Sequence, residues 1–237
     1  MKRSEINRAV EDAAEFFAKM DLRLPSFAFW TPEKWETLGP EADEIRDCML
    51  GWDVTDFGRG EFPRFGRTLF TLRNGRHGDP CYPKVYGEKL IFNPEGQRAL
   101  LHFHLSKMED IINRGGGNIL ITLWKAGPDD QPSKEQFSLA VSGVRRGVRP
   151  GETIRIEPGE SICLPPRTFH QFWGEEGTGS SVSGEVSSVC DDKTDNFFLE
   201  KSERFPTTEE DEPPRHLLCN EYPTANMTRG TRRRAGI

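Results

Sequence analysis

The chain has 237 residues and a formal net charge of -6. That length buries a core without disulfide or metal staples, and the acidic balance excludes a globally basic nucleic-acid binder. No run approaches the ~18 uninterrupted apolar residues of a membrane helix, and the acid-bearing start MKRSEINRAVEDAAEFF lacks the apolar core of a signal peptide.

Residues 4–19 read as a helix, with Ser4 as its cap and Ile6, Ala9, Val10, Ala13, Phe16 and Phe17 recurring at helical spacing. Thr31-Pro32 opens a second helix toward Leu50, with Pro32 at the first helical position. Gly39-Pro40 breaks or kinks it. After residue 50 the texture changes. Gly and Pro punctuate short segments rich in Val, Ile, Leu, Thr and Phe: 68–72, 118–124, 136–141, 153–156, 161–164 and 185–189. Such alternation predicts half-buried strands, and many short strands predict an all-β barrel or jelly roll. The expected organisation is one domain over 1–223, a helical arm at 1–50 on a β-barrel at 51–223. Glu209–Pro214, acidic and Pro-rich, reads as loop. Residues 224–237, ending in TRGTRRRAGI, read as a basic, solvated tail. The five cysteines are widely spaced and form no C-x-x-C pair, which favours free thiols over a disulfide framework.

The stretch HFHLSKMEDIINRGGG, residues 102–117, carries the chemistry. On a strand, His102 and His104 face one way and Phe103 the other. Two imidazoles on one face are half of a transition-metal site. Glu109 can offer a carboxylate as the chain turns back, and Gly115–Gly117 supply the turn. A second stretch, GESICLPPRTFHQFWG from Gly159 to Gly174, reads as strand, turn, strand and brings in His170. Together these give three nitrogens and one oxygen.

The two stretches resemble the paired signatures of the cupin superfamily. His102, His104, Glu109 and Gly116 fit the first, and Gly159, Pro165 and His170 fit the second. Arg167 departs from it, standing where the pattern has glycine. The resemblance implies an all-β cupin double-stranded barrel holding a divalent metal with His102, His104, Glu109 and His170. Cupins host many chemistries, so the fold alone does not give the function. The surroundings are polar: Lys89 and Lys107, then Glu185, Asp191, Asp192, Asp195, Glu200 and Glu203 in SGEVSSVCDDKTDNFFLEKSERFP. They suit a polyhydroxylated substrate.

YGEK, KMEDIINRGGGN, ICLPPRTFHQFWG, GEVSSVCDD, ERFP and NEYP, in that order, are similar to the D-lyxose isomerase family of sugar isomerases. The similarity covers nearly all of residues 1–223. It implies an aldose–ketose isomerase acting on D-lyxose and D-xylulose, with D-mannose and D-fructose as a second pair. It also implies a cytoplasmic homodimer that prefers Mn²⁺, with Co²⁺, Zn²⁺, Ni²⁺ and Fe²⁺ open on ligand chemistry. In that reading Glu203 shuttles the proton, Lys107 protonates or polarises a substrate oxygen, and Lys89 and Asp191 bind sugar hydroxyls. His77 and His216 read as loop or surface residues. Rival classes are a metal-dependent cupin oxygenase, a non-catalytic sugar-binding cupin, and a mutarotase or epimerase. No nucleic-acid or membrane partner is expected.

Overall fold

The structure is a computed structural model that describes residues 1–192 and 194–225. The expected basic tail, from residue 226 on, lies outside the described residues.

Three helices precede the strands: α1 (Arg3–Lys19), α2 (Pro32–Glu36) and α3 (Asp43–Asp47). The first strands are β1 (Gly51–Thr55), β2 (Arg67–Arg73), β3 (Tyr86–Asn93), β4 (His102–His104), β5 (Glu109–Gly116) and β6 (Ile119–Lys125). Then come β7 (Phe137–Val141), β8 (Val144–Val148), β9 (Glu152–Ile156), β10 (Ser161–Leu164), β11 (Thr168–Gly174), β12 (Ser181–Ser188) and β13 (Asn196–Phe198). One sheet runs β1-β2-β3-β12-β5-β10-β7-β8 and the other β13-β4-β11-β6-β9. Every strand pair is antiparallel. This is the expected cupin barrel with a helical arm.

Period-2 alternation decides which residues meet where. Leu69, Ile91 and Ile111 point between the sheets and pack with Ile119, Ile121, Leu123 and Phe172. Their strand neighbours Phe70, Leu90 and Val182 point outward and are covered by α1 through Ile6, Ala9, Val10, Ala13 and Phe17. Phe17 stacks on Trp52 with centroids 6.2 Å apart. Each fully buried Val, Leu, Ile or Phe side chain among them contributes about 1.5–3 kcal/mol.

One expectation needs correction. Ser4 does not cap α1: the helix begins at Arg3 after Lys2, and Ser4 donates its N–H and Oγ–H to Asp211 at 2.9 and 2.6 Å. The acidic loop 209–212 itself covers that helix start, with Glu210 on Arg3 and Glu212 on Asn7. Carboxylates belong there because the unsatisfied N–H groups carry the positive end of the helix dipole. The helix opened at Pro32 is broken at Gly39-Pro40, as expected, into two short helices. It stops at Glu36, because Gly39-Pro40 starts a separate 3₁₀ turn before α3. Thr31 does cap α2, accepting from Lys34 N–H at 3.3 Å.

The β5–β6 turn needs its glycines. Gly116 has φ +86°, and a Cβ there would sit 2.3 Å from the Ser180 carbonyl oxygen.

Candidate active site

β4 is only three residues long, but it lies between β11 and β13. Register sets His170 opposite His102, and alternation turns His102 and His104 into the barrel. Phe103 points the other way, fully buried against Phe169 and Phe197. Glu109 starts β5 in the facing sheet. The three histidines offer ligand nitrogens all within 4.8 Å of one another. Glu109 Oε1 lies 3.1 Å from His170 Nε2 and 3.4 Å from His104 Nε2.

These atoms fit a metal ion. Ligand distances of about 2.0–2.2 Å put neighbouring ligand atoms roughly 2.8–3.6 Å apart around one centre. Imidazole Nδ1–H donates to Leu100 O from His102 at 2.8 Å and to Thr168 O from His170 at 3.0 Å. A carbonyl only accepts, so each Nδ1 carries the proton and each Nε2 lone pair faces inward. Glu109 Oε1 is buried with no hydrogen-bond partner, as is His104 Nδ1. Such orphans are costly unless something binds there. Burial, with the neighbouring histidines, pushes His102 well below the usual imidazole value. Burial and the Lys107 charge lower His104. Both are therefore neutral, as ligation requires.

Beside the histidines runs a ladder of alternating charge. Lys107 Nζ lies 2.7 Å from Glu109 and 2.8 Å from Glu185. Lys89 faces Glu185 at 3.6 Å and Asp192 at 3.4 Å. Arg204 then joins Asp192, at 3.2 Å, to Asp53. Register makes Lys89 and Glu185 direct cross-strand partners on the inner face. Burial opposes the charges of Lys107, Glu109, Glu185, Lys89, Asp192 and Arg204. For Glu109 and Glu185, the lysines outweigh it and hold the carboxyls low. For Lys107, the two carboxylates outweigh it and raise the amine. Asp195 positions the turn that carries Lys107, accepting from Ser106 N, Ser106 Oγ and Lys107 N at 2.8, 2.6 and 3.1 Å.

The residues expected from sequence divide into two groups. His102, His104, His170, Glu109, Lys107 and Lys89 all line one cavity of about 60 Å³. Asp191 and Glu203 do not. Asp191 accepts from Thr194 Oγ1 at 2.7 Å, and its neighbour Asp192 lines the cavity instead. Glu203 is exposed beside Gly58, with its N–H on Phe57 O at 3.1 Å, and its neighbour Arg204 lines the cavity. In each case the adjacent residue, Asp192 or Arg204, is the one that lines this cavity. The segments 189–192 and 199–206 are irregular, so no strand phase fixes which side chain turns inward.

Arg67 is a functional-site residue the sequence reading missed. It lines the cavity, stacks on Phe172 and donates to Asn93 Oδ1 at 2.9 Å. Burial pushes its guanidinium down to about 9. The signal was its parity with Leu69 on β2. Arg167 sits at φ +61°, the left-handed conformation for which the cupin pattern uses glycine. Its guanidinium is held by Gly127 O at 2.8 Å and Asp130 at 2.6 Å, and its N–H bonds His104 O at 2.8 Å.

A family profile described as D-lyxose isomerase matches residues 1–222. The chain belongs to the D-lyxose isomerase family. It is 46% identical to the D-lyxose/D-mannose isomerase of Escherichia coli O157:H7, over 94% of this chain and 98% of that protein. The D-lyxose/D-mannose isomerase of Serratia proteamaculans is 47% identical with the same coverage. Among solved structures, the L-ribose isomerase of Acinetobacter sp. DL28 in complex with L-ribose superposes with a TM-score of 0.57. It shares 14% identity over 84% of this chain and 93% of that one, a likeness of fold alone. Among the described residues, no helix of this family member is long and apolar enough to cross a membrane.

Proposed function

We propose that the protein is a metal-dependent aldose–ketose isomerase interconverting D-lyxose and D-xylulose, and also D-mannose and D-fructose. The observation that carries this reading is the cluster of three histidine ligand nitrogens within 4.8 Å of one another beside Glu109, with a lysine–carboxylate ladder next to it. His102, His104, His170 and Glu109 would hold the ion. We take it to be Mn²⁺, although the donor set also accepts Co²⁺, Zn²⁺, Ni²⁺ or Fe²⁺. When bound, the ion supplies Lewis-acid polarisation of the substrate's oxygens.

The chain's own residues do the proton work. Isomerisation moves a proton between C1 and C2 through an enediol, which needs a base at carbon and a donor at oxygen. Lys107 is buried and charged, so it donates to a substrate oxygen. Glu185, inside the cavity, and Glu203, on the segment bordering it, are the carboxylates proposed for the carbon-bound proton. The position of Glu185 supports it directly. Glu203 acts only if the 199–206 segment turns its side chain inward. Lys89 and Asp191 are proposed to bind hydroxyls, and the chain to work as a homodimer in the cytoplasm. Metal-loaded protein incubated with D-lyxose in D₂O yields D-xylulose with deuterium on carbon. Absence of both ketose and exchange with Mn²⁺, Co²⁺ and Zn²⁺ contradicts the proposal.

A further inference from the structure

The cavity at the histidines, about 60 Å³, is small for the chemistry proposed there. Pockets for small molecules run from about 300 Å³ upward. It admits the reacting end of a sugar but not its length. Phe57 and Phe198 close one side, with Phe198 stacked on His102 at 5.3 Å.

A second chamber of about 280 Å³ adjoins it. Lys89 and Asp192 line both, so these two side chains are the partition. It is a loose one. Lys89 Nζ stands 3.4 Å from each Asp192 oxygen, whereas Lys107 holds its carboxylates at 2.7 and 2.8 Å. Thr71, beside Lys89 in the β2–β3 register, forms part of the inner wall, and Arg76, His77 and Asp191 line the chamber with it. Asn74 is locked by Cys190, donating to its carbonyl at 2.9 Å and accepting its N–H at 3.0 Å, which fixes the chamber's shape.

The wall chemistry selects a class of ligand. It mixes donors and acceptors of both signs, which suits neutral hydroxyls. Its permanent cations already face carboxylates, Arg76 with Asp79 at 3.5 Å and Lys89 with Asp192, so it offers little to a phosphate.

We infer that the second chamber seats the far end of the substrate, the hydroxyl-bearing carbons beyond C3, and that the chain threads between Lys89 and Asp192. This rests on the isomerase reading, which puts C1 and C2 in the first cavity. With both spaces joined, the volume reaches the range of ordinary ligand sites. Asp191 thereby acquires a place in substrate binding that the first cavity does not give it.

The test uses unreactive probes. Metal-loaded protein is titrated by calorimetry with erythritol, D-arabinitol and D-mannitol, alditols of four, five and six carbons. Wild-type affinity rises about tenfold from four carbons to six, the yield of two ordinary hydrogen bonds. Thr71→Leu, which thickens the inner wall, and His77→Trp, on an exposed loop that tolerates bulk, flatten the series. A flat wild-type series, or an unchanged slope in both variants, overturns the assignment. The His77→Trp arm stands even if Thr71→Leu fails to fold. A rising series that the variants flatten, in a protein that makes no ketose from D-lyxose, supports the chamber while refuting the isomerase reading. Ketose formation with a flat series refutes the chamber alone.

Discussion

Lys107→Met tests the ladder where it is tightest. The ammonium is 3% exposed and touches Glu109 at 2.7 Å and Glu185 at 2.8 Å. Methionine keeps the stem but leaves two buried carboxylates facing each other. Removing one partner of a buried ion pair costs about 3–5 kcal/mol. In a chain of this size that lowers Tm by roughly 6–20 °C. Part of the cost is recovered when the two carboxylates share a proton, as close like charges do. Lys107→Met/Glu185→Gln removes one charge of each sign, so the double variant melts above the single one. Turnover returns in neither, because the donor is gone, and the expected loss is ~10²–10⁴-fold. Melting curves of metal-free protein and a ketose assay of metal-loaded protein read the two quantities. Turnover of Lys107→Met within tenfold of wild type refutes the donor role. A double variant no more stable than the single one refutes the charge-balance reasoning.

Glu185→Gln and Glu203→Gln separate the two candidate bases: the one that carries the carbon-bound proton loses ~10²–10⁴-fold in D₂O exchange while keeping its metal, and the other stays near wild type. Asp192 tests the acid limb of stability. Burial opposes its charge, but Lys89 and Arg204 outweigh it and hold the carboxyl far below its ordinary value. Its contribution is therefore complete above about pH 4 and is lost as pH falls toward the folded value. Wild-type Tm falls more steeply below pH 4 than that of Asp192→Asn, and equal slopes contradict the pairing. Arg167→Gly relieves about 1–2 kcal/mol of left-handed strain but forfeits a half-exposed ion pair and the bond to Gly127 O. The net change in urea unfolding is within about 1 kcal/mol, and a loss above ~3 kcal/mol would show that the side chain holds the turn by more than these contacts.

Most of the barrel was legible because strands announce themselves by parity. Thr68–Leu72, Asn118–Trp124, Gln136–Val141 and Ser161–Leu164 fall within a residue or two of β2, β6, β7 and β10. The same parity turned His102 and His104 to one face, and two motifs brought in Glu109 and His170. What was not legible lies where parity lapses. Asp191 and Glu203 were each chosen one residue from the side chain that enters the cavity, because irregular backbone has no repeating phase. The acidic loop 209–212 read simply as loop, since its partners Arg3, Ser4 and Asn7 lie about two hundred residues away. No local pattern encodes that contact. Glu185 and Lys89 were visible only as charged residues in a list until the register of β3 and β12 placed them opposite one another, and Arg204, on irregular backbone, went unread.

The central claim is that one ion, held by four side chains, is needed for turnover. Protein stripped with chelator and verified metal-free by elemental analysis is titrated with Mn²⁺ while D-lyxose conversion is followed. The account predicts no ketose at zero ion, a linear rise that saturates at one ion per chain, and no rise for His170→Ala over the same range. Full-rate conversion by verified metal-free protein contradicts it.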